Sequence, residues 1–218
     1  MADGDRILAL LPGDESRTHG ERLPSEIARA LEQAGITRDR LDLLAVATGP
    51  GAFTGLRIGI AAVQGLAMTL NKPVIGVSAL DALAEQVEVD AELILPWMDA
   101  QRGDVFATLI NRKTGTTLEP PTAAGPQVLL DSWRGHLAGH RATFIGDAVA
   151  RDTDLIARNA DGRWETRTPA PLATQIAILG HRRAQRGEAG APHTLEPIYV
   201  RRPDAEIERE RGRSQGGA

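Results

Sequence analysis

The chain is 218 residues long, with 42% hydrophobic residues, 3% aromatic residues and a formal net charge of −4. That length allows one large domain or two small ones, with a core built mainly from Ala, Val, Leu and Ile. The lack of cysteine excludes disulfides, thiolate metal sites and a cysteine nucleophile, and the acidic balance argues against an autonomous nucleic-acid binder. No apolar run approaches the ~20 residues of a membrane span, and the acidic Met1 end lacks the apolar stretch of a secretory signal. A soluble, cytoplasmic protein without membrane contact is the expectation.

In chain order, Arg6 to Leu11 reads as a strand ended by Pro12 and Gly13. Leu23, Ile27, Ala30, Leu31 and Ala34 recur at helical spacing, and Gly35 stops that helix. Leu43 to Thr48 is apolar on both faces, as a buried parallel strand is. A glycine turn follows, and Ile58 to Leu70 then runs as a helix without a charged residue. A helix with no polar face must be covered on more than one side. Asn71-Lys72-Pro73 breaks it, and Val74 to Val77 is another strand. Ser78 with Asp81 fits a capping box ahead of a helix to about Glu88. Strand and helix in alternation imply a parallel sheet with crossover helices.

The pattern then restarts. Glu92 to Met98 and Val105 to Ile110 read as strands of an antiparallel meander, with turns at 99–104 and at Asn111 to Thr116. Ala123 to Pro126 reads as a loop, Gln127 to Trp133 as a helix and Ala142 to Ile145 as a strand. Helices are expected over Ala148 to Arg158 and over Leu172 to Arg186, where Ile176, Leu179 and Arg183 keep helical spacing. Leu195 to Val200 is the last expected strand, and the polar chain from Arg201 reads as solvated and disordered. The expected organisation is a first half over 1–90, a second over 91–200 and a tail over 201–218.

Several segments resemble one family. Gly49-Pro50-Gly51-Ala52-Phe53-Thr54-Gly55-Leu56-Arg57-Ile58-Gly59 is similar to the loop of the bacterial TsaB (YeaZ) proteins. Thr18-His19-Gly20-Glu21-Arg22-Leu23-Pro24 resembles the opening of that family's first helix, and Met98 to Phe106 the hairpin that opens its second half. Pro197-Ile198-Tyr199-Val200-Arg201-Arg202-Pro203-Asp204-Ala205-Glu206 resembles its C-terminal end. These segments fall in family order across most of the chain. The resemblance implies an α/β fold of the actin, sugar-kinase and Hsp70 type, with two ribonuclease-H-like halves. It implies a noncatalytic scaffold in making threonylcarbamoyladenosine beside the anticodon of ANN-decoding tRNAs. The implied partners are the catalytic TsaD and the small ATPase TsaE, with tRNA reached only through the complex and a homodimer as a further form. One departure stands out: Leu11-Pro12-Gly13 replaces the family's Asp-Thr-Ser turn. The first half is therefore expected to be shortened at its N-terminus, with an unpaired strand edge.

The candidate sites divide into a loop and a helix face. Gly49, Gly51, Thr54, Gly55 and Arg57 form a possible nucleotide or anion loop ahead of a helix N-terminus. The alternative is a tight turn in which glycine only satisfies backbone geometry. A Walker lysine is missing, so this is not a P-loop. ATP or ADP at the complex interface is the one nucleotide this reading allows, and no resident cofactor is expected. Leu23, Ile27, Leu31, Leu56, Gly59, Ile60 and Val63 are the expected partner interface, with Ile60→Glu as the substitution expected to break it. Against that stands a central helix buried within its own domain. His19 reads as a residue at a helix start rather than a metal ligand, His136 and His140 lack a nearby acid in sequence, and His181 lies on a solvated face. Neither a catalytic residue nor a metal site is expected. Asp99, Arg102 and Asp104 read as a hairpin turn ahead of any acid–base role. The rival functions are an ATP-binding enzyme of the sugar-kinase fold, an inactive peptidase-like homologue and a plain homodimeric binding protein.

Overall fold

A computed structural model describes residues 1–13, 19–87, 90–160 and 162–201, with side chains of the first helix from Leu23 onward. The segments at Thr18 to Arg22 and beyond Arg201 that carry part of the family resemblance lie outside the described backbone or side chains.

The chain opens with a small antiparallel hairpin, β1 (Ala2–Asp3) and β2 (Arg6–Ile7). The strand expected to reach Leu11 stops at Ile7. The N–H groups of Leu8 and Ala9 turn back to the carbonyl of Met1, at 3.0 and 3.3 Å, so they are spent on a curl and not on a ladder. Helix α1 (His19–Ala34) follows. It ends in a Schellman motif: Gly35, at φ 67°, donates to Glu32 at 3.0 Å, and Ile36 donates to Leu31 at 3.1 Å.

β3 (Leu44–Gly49), α2 (Phe53–Leu70) and β4 (Val74–Ser78) form a parallel crossover unit, with Leu44 opposite Val74 and Ala47 opposite Val77. Asn71 ends α2 in the left-handed conformation. Ser78 caps α3 (Ala79–Ala84) by accepting the Asp81 N–H at 3.3 Å, as its spacing predicts. The helix is shorter than expected and does not reach Glu88, which lies outside the described residues. Among the described residues the first sheet holds only β3 and β4.

The second sheet has five strands in the order β7-β6-β5-β8-β9: β5 (Leu93–Asp99), β6 (Val105–Asn111), β7 (Thr116–Ala124), β8 (Ala142–Ile145) and β9 (Trp164–Arg167). The first three form the expected meander, β8 and β9 run parallel to β5, and this is the strand order of a ribonuclease-H-like half. α4 (Pro126–Ser132), α5 (Arg134–Leu137) and α6 (Val149–Asn159) belong to the same half. β9 leaves no signal in the sequence, because Trp164-Glu165-Thr166-Arg167 is too short for alternation to show. Residues 116–124, read partly as turn and loop, extend β7, and Pro120 and Pro121 sit on this edge strand where a lost N–H is tolerated.

α7 (Ala173–Gln185) returns to the first sheet and packs on β3 and β4, opposite α2. Gly180 permits that approach: a Cβ there would stand 2.7 Å from the Ala45 side chain. The core of the second half centres on Trp97 and Phe144, whose rings meet edge to face at 5.4 Å. That of the first half gathers Leu44, Ile60, Ala67, Val74 and Leu195.

Candidate functional site

The expected last strand, Leu195 to Val200, is instead an extended strap across both halves. The side-chain amide of Gln64, on α2, donates to the carbonyls of Pro192 and Leu195, each at 3.0 Å. Ile198 donates its N–H to the Thr48 carbonyl at 2.7 Å, the one backbone bond it makes to β3. Tyr199 packs on Phe53 with centroids 5.3 Å apart and accepts a hydrogen bond from Arg57 Nε at 2.7 Å. The Arg57 guanidinium lies 3.9 Å from the Phe53 ring centroid. Further on, Val200 packs against Leu80, Ala100 and Phe106, and Arg201 pairs with Asp104 and donates to the Ala100 carbonyl at 3.2 Å. The strap therefore ties α2 of the first half to the β5–β6 turn of the second. The sequence motif from Pro197 onward gave its place but not its partners.

This geometry revises the expected anion loop. Gly49 and Pro50 are buried, and Gly49 is roofed by the strap. Arg57, the loop's one cation, is committed to Tyr199 and Phe53. Gly51 and Gly55 are half-buried and Thr54 is exposed at the α2 N-terminus. The chain thus occupies part of its own loop.

The expected interface splits into two faces. Ile60 is only 4% exposed and sits in the first-half core, with Leu56 and Val63 packed against the same cluster. Ile60 is therefore corrected from partner contact to core residue, whereas Leu56 and Val63 are half-buried at the edge of that core. The physical reason is the crossover geometry: an apolar helix turns one side onto its own sheet before any partner arrives. α1 packs along α2, with Leu23, Ile27 and Leu31 half-buried and Gly59 half-buried on α2. The exposed residues of α2 are Phe53, Thr54, Arg57, Ala61, Gly65, Met68 and Thr69. Phe53 and Arg57 lie against Tyr199 of the strap, while Ala61, Gly65 and Met68 are flanked by half-buried Ile58 and Ala62, and Met68 is 67% exposed. α2 has 18 residues and a mean hydropathy of 1.3, so among the described residues it is the one helix that is long and apolar enough, by length and composition alone, to cross a membrane. Here one side of it lies on a sheet and a strap.

Several charged groups of the second half are paired with one another. Arg151 bonds Asp152 at 2.8 Å through Nε and Asp99 at 2.7 Å through Nη1, which raises its pKa. Asp147 accepts the Asp99 N–H at 2.9 Å. His140 lies 3.1 Å from Glu92 and His136 lies 3.2 Å from Glu119, so both have acid partners that sequence distance hid. Among the described residues no group of His, Cys, Asp or Glu is arranged to hold a metal ion.

Comparison with known proteins gives a consistent picture. The family model described as "TsaD: tRNA N6-adenosine threonylcarbamoyltransferase" matches residues 9–133. The chain is 37% identical over 196 residues to the "tRNA threonylcarbamoyladenosine biosynthesis protein TsaB" of Escherichia coli, covering 85% of this chain and 81% of that protein. It is 29% identical over 195 residues to the protein of the same name in Bacillus subtilis, covering 87% and 82%. Among solved structures, "YeaZ from Pseudomonas aeruginosa" superposes with a TM-score of 0.68 at 27% identity, covering 83% of this chain and 84% of that one.

Proposed function

The chain belongs to the TsaB (YeaZ) family, and from that membership we propose that it serves tRNA threonylcarbamoyladenosine biosynthesis as a noncatalytic partner of a TsaD-like subunit. The observation that carries this reading is the outward face of α2. Ile58, Ala61, Ala62, Gly65 and Met68 make an apolar stripe of mostly small side chains beside α1. Contiguous exposed apolar surface marks a protein partner, and small residues let a second helix approach closely. The partner we assign to it is a TsaD-like chain, which lays its own helix pair on α1 and α2. A TsaE-like ATPase, tRNA and any ATP or ADP then join through that assembly, and a homodimer uses the same face when TsaD is absent.

Size-exclusion chromatography with light scattering tests this, on the chain alone and mixed with TsaD from the same organism. A heteromeric peak, followed by threonylcarbamoyl transfer to tRNA only in the mixture, is expected. A folded chain that forms no complex with TsaD overturns the partnership. Transfer by the chain alone overturns the noncatalytic role.

A further inference from the structure

A cavity of about 320 Å³ lies between the C-terminal ends of β3 and β4 and the strap. That is the low end for small-molecule pockets, and the ends of parallel strands are where open α/β sheets place ligands. Arg183, Asp81, Ser78 and Glu196 supply much of its polar wall. Arg183 is held from two sides: Nη1 donates to the Gly76 carbonyl at 2.8 Å and Nε to Glu188 at 2.7 Å. Its Nη2 has no hydrogen-bond partner among the described residues. The guanidinium is thus fixed with donors to spare.

The two carboxylates of the wall are in the opposite condition. Asp81 uses its backbone N–H to bond Ser78, but its carboxylate accepts no hydrogen bond among the described residues. It feels the charge of Arg183 without forming an ion pair with it. Crowding around the carboxyl raises its pKa, against the pull of Arg183, although the residue as a whole is exposed. Glu196, on the strap, is exposed and likewise without a partner among the described residues. Opposite charges held apart around one cavity complement a molecule that carries both signs.

We propose that this cavity binds a small α-amino acid as its zwitterion, with the carboxylate on Arg183 and the ammonium between Asp81 and Glu196. A simple anion meets two uncompensated carboxylates there, and a simple amine leaves the spare Arg183 donors unused. Glu196 and Ile198 come from the strap, so a bound amino acid also holds the strap over Gly49. The inference stands on the cavity and does not depend on the TsaD partnership.

Isothermal titration calorimetry on the full chain tests it, with glycine and L-threonine as zwitterions and acetate and ethanolamine as single-charge probes. Saturable binding of at least one amino acid is expected, with acetate and ethanolamine each about tenfold weaker or more. Asp81→Asn and Glu196→Gln are each expected to weaken the amino acid by about tenfold while leaving the melting temperature close to wild type. These two variants carry the test because Arg183 also braces the Gly76 carbonyl. Two outcomes overturn the proposal: no saturable heat from either amino acid at millimolar concentration, or ethanolamine binding as tightly as the amino acid.

Discussion

The carbonyl of Ile198 stands 2.8 Å from where a Cβ on Gly49 would lie, and Leu56 Cδ2 stands 3.1 Å from the same point. Gly49 also holds φ at 115°, which side-chain-bearing residues rarely adopt. Two independent constraints thus converge on one glycine, where the strap meets the end of β3. Gly49→Ala is expected to destabilise the chain by about 2–3 kcal/mol, the range for a forced unfavourable backbone with a steric clash. It should also loosen the strap, read as faster proteolysis between residues 190 and 200. Gly51→Ala is the control, because nothing lies within 4 Å of its Cβ position. Equal melting temperatures for the two variants would show that the Gly49 contact carries no stability.

The two sides of α2 should respond differently to the same chemistry. Ile60→Glu places a charge in the Leu44, Ala67 and Val74 core and is expected to unfold the first half, at a cost of several kcal/mol, more than 4 kcal/mol being ~ the diagnostic range for a buried unpaired charge. Met68→Glu alters a residue 67% exposed and should leave the melting temperature within a few degrees of wild type. In the mixture with TsaD, Met68→Glu is expected to abolish the heteromeric peak. A complex that survives Met68→Glu unchanged removes the outward stripe as the contact.

The split within α2 shows what the sequence could and could not say. Its lack of charge made plain that more than one side is covered, but not which side meets the chain's own sheet. That depends on the crossover angle and on Leu195, which lies far along the chain and completes the core against Ile60. Local signals were reliable where one residue sets the geometry: Gly35 stops α1, and Ser78 caps α3. The strap reads as a strand in sequence because Leu195 to Val200 has suitable residues, but no neighbouring strand ladders with it among the described residues. Its partners, Gln64, Phe53 and Arg57, are long-range and leave no local pattern. The cavity was illegible for the same reason, since Asp81, Arg183 and Glu196 come from three separate segments.

A buried polar bond anchors the second half. The Trp97 indole, fully buried, donates to Asp152 Oδ2 at 2.8 Å, and Asp152 in turn holds Arg151. Asp152→Ala strands the indole N–H and takes one carboxylate from Arg151. The expected loss is about 2–4 kcal/mol in chemical denaturation, from an unpaired buried donor plus the cavity left behind. Asp154→Ala, two residues along on an exposed stretch of α6, should change stability by less than ~0.5 kcal/mol. Similar denaturation midpoints for the two variants would mean that the Trp97 bond contributes little.

The acid limb of the stability curve should depend on Glu92 and Glu188. Glu92 has its pKa lowered first by the Arg141 backbone N–H, at 3.0 Å, and then by His140. Glu188 has its pKa lowered first by Arg183, at 2.7 Å, and then by Arg186. A carboxyl whose pKa is lower folded than unfolded stabilises the fold fully above the unfolded value, 4.5 for these groups, and loses that contribution as pH falls through the folded value. The melting temperature is therefore expected to fall as pH drops below 4.5, and less steeply in a Glu92→Gln, Glu188→Gln double variant. Both side chains are exposed, so added salt should shrink the difference between the double variant and wild type. Melting curves that stay parallel from pH 7 to pH 3, with no narrowing of the gap, would assign the acid limb to other carboxylates.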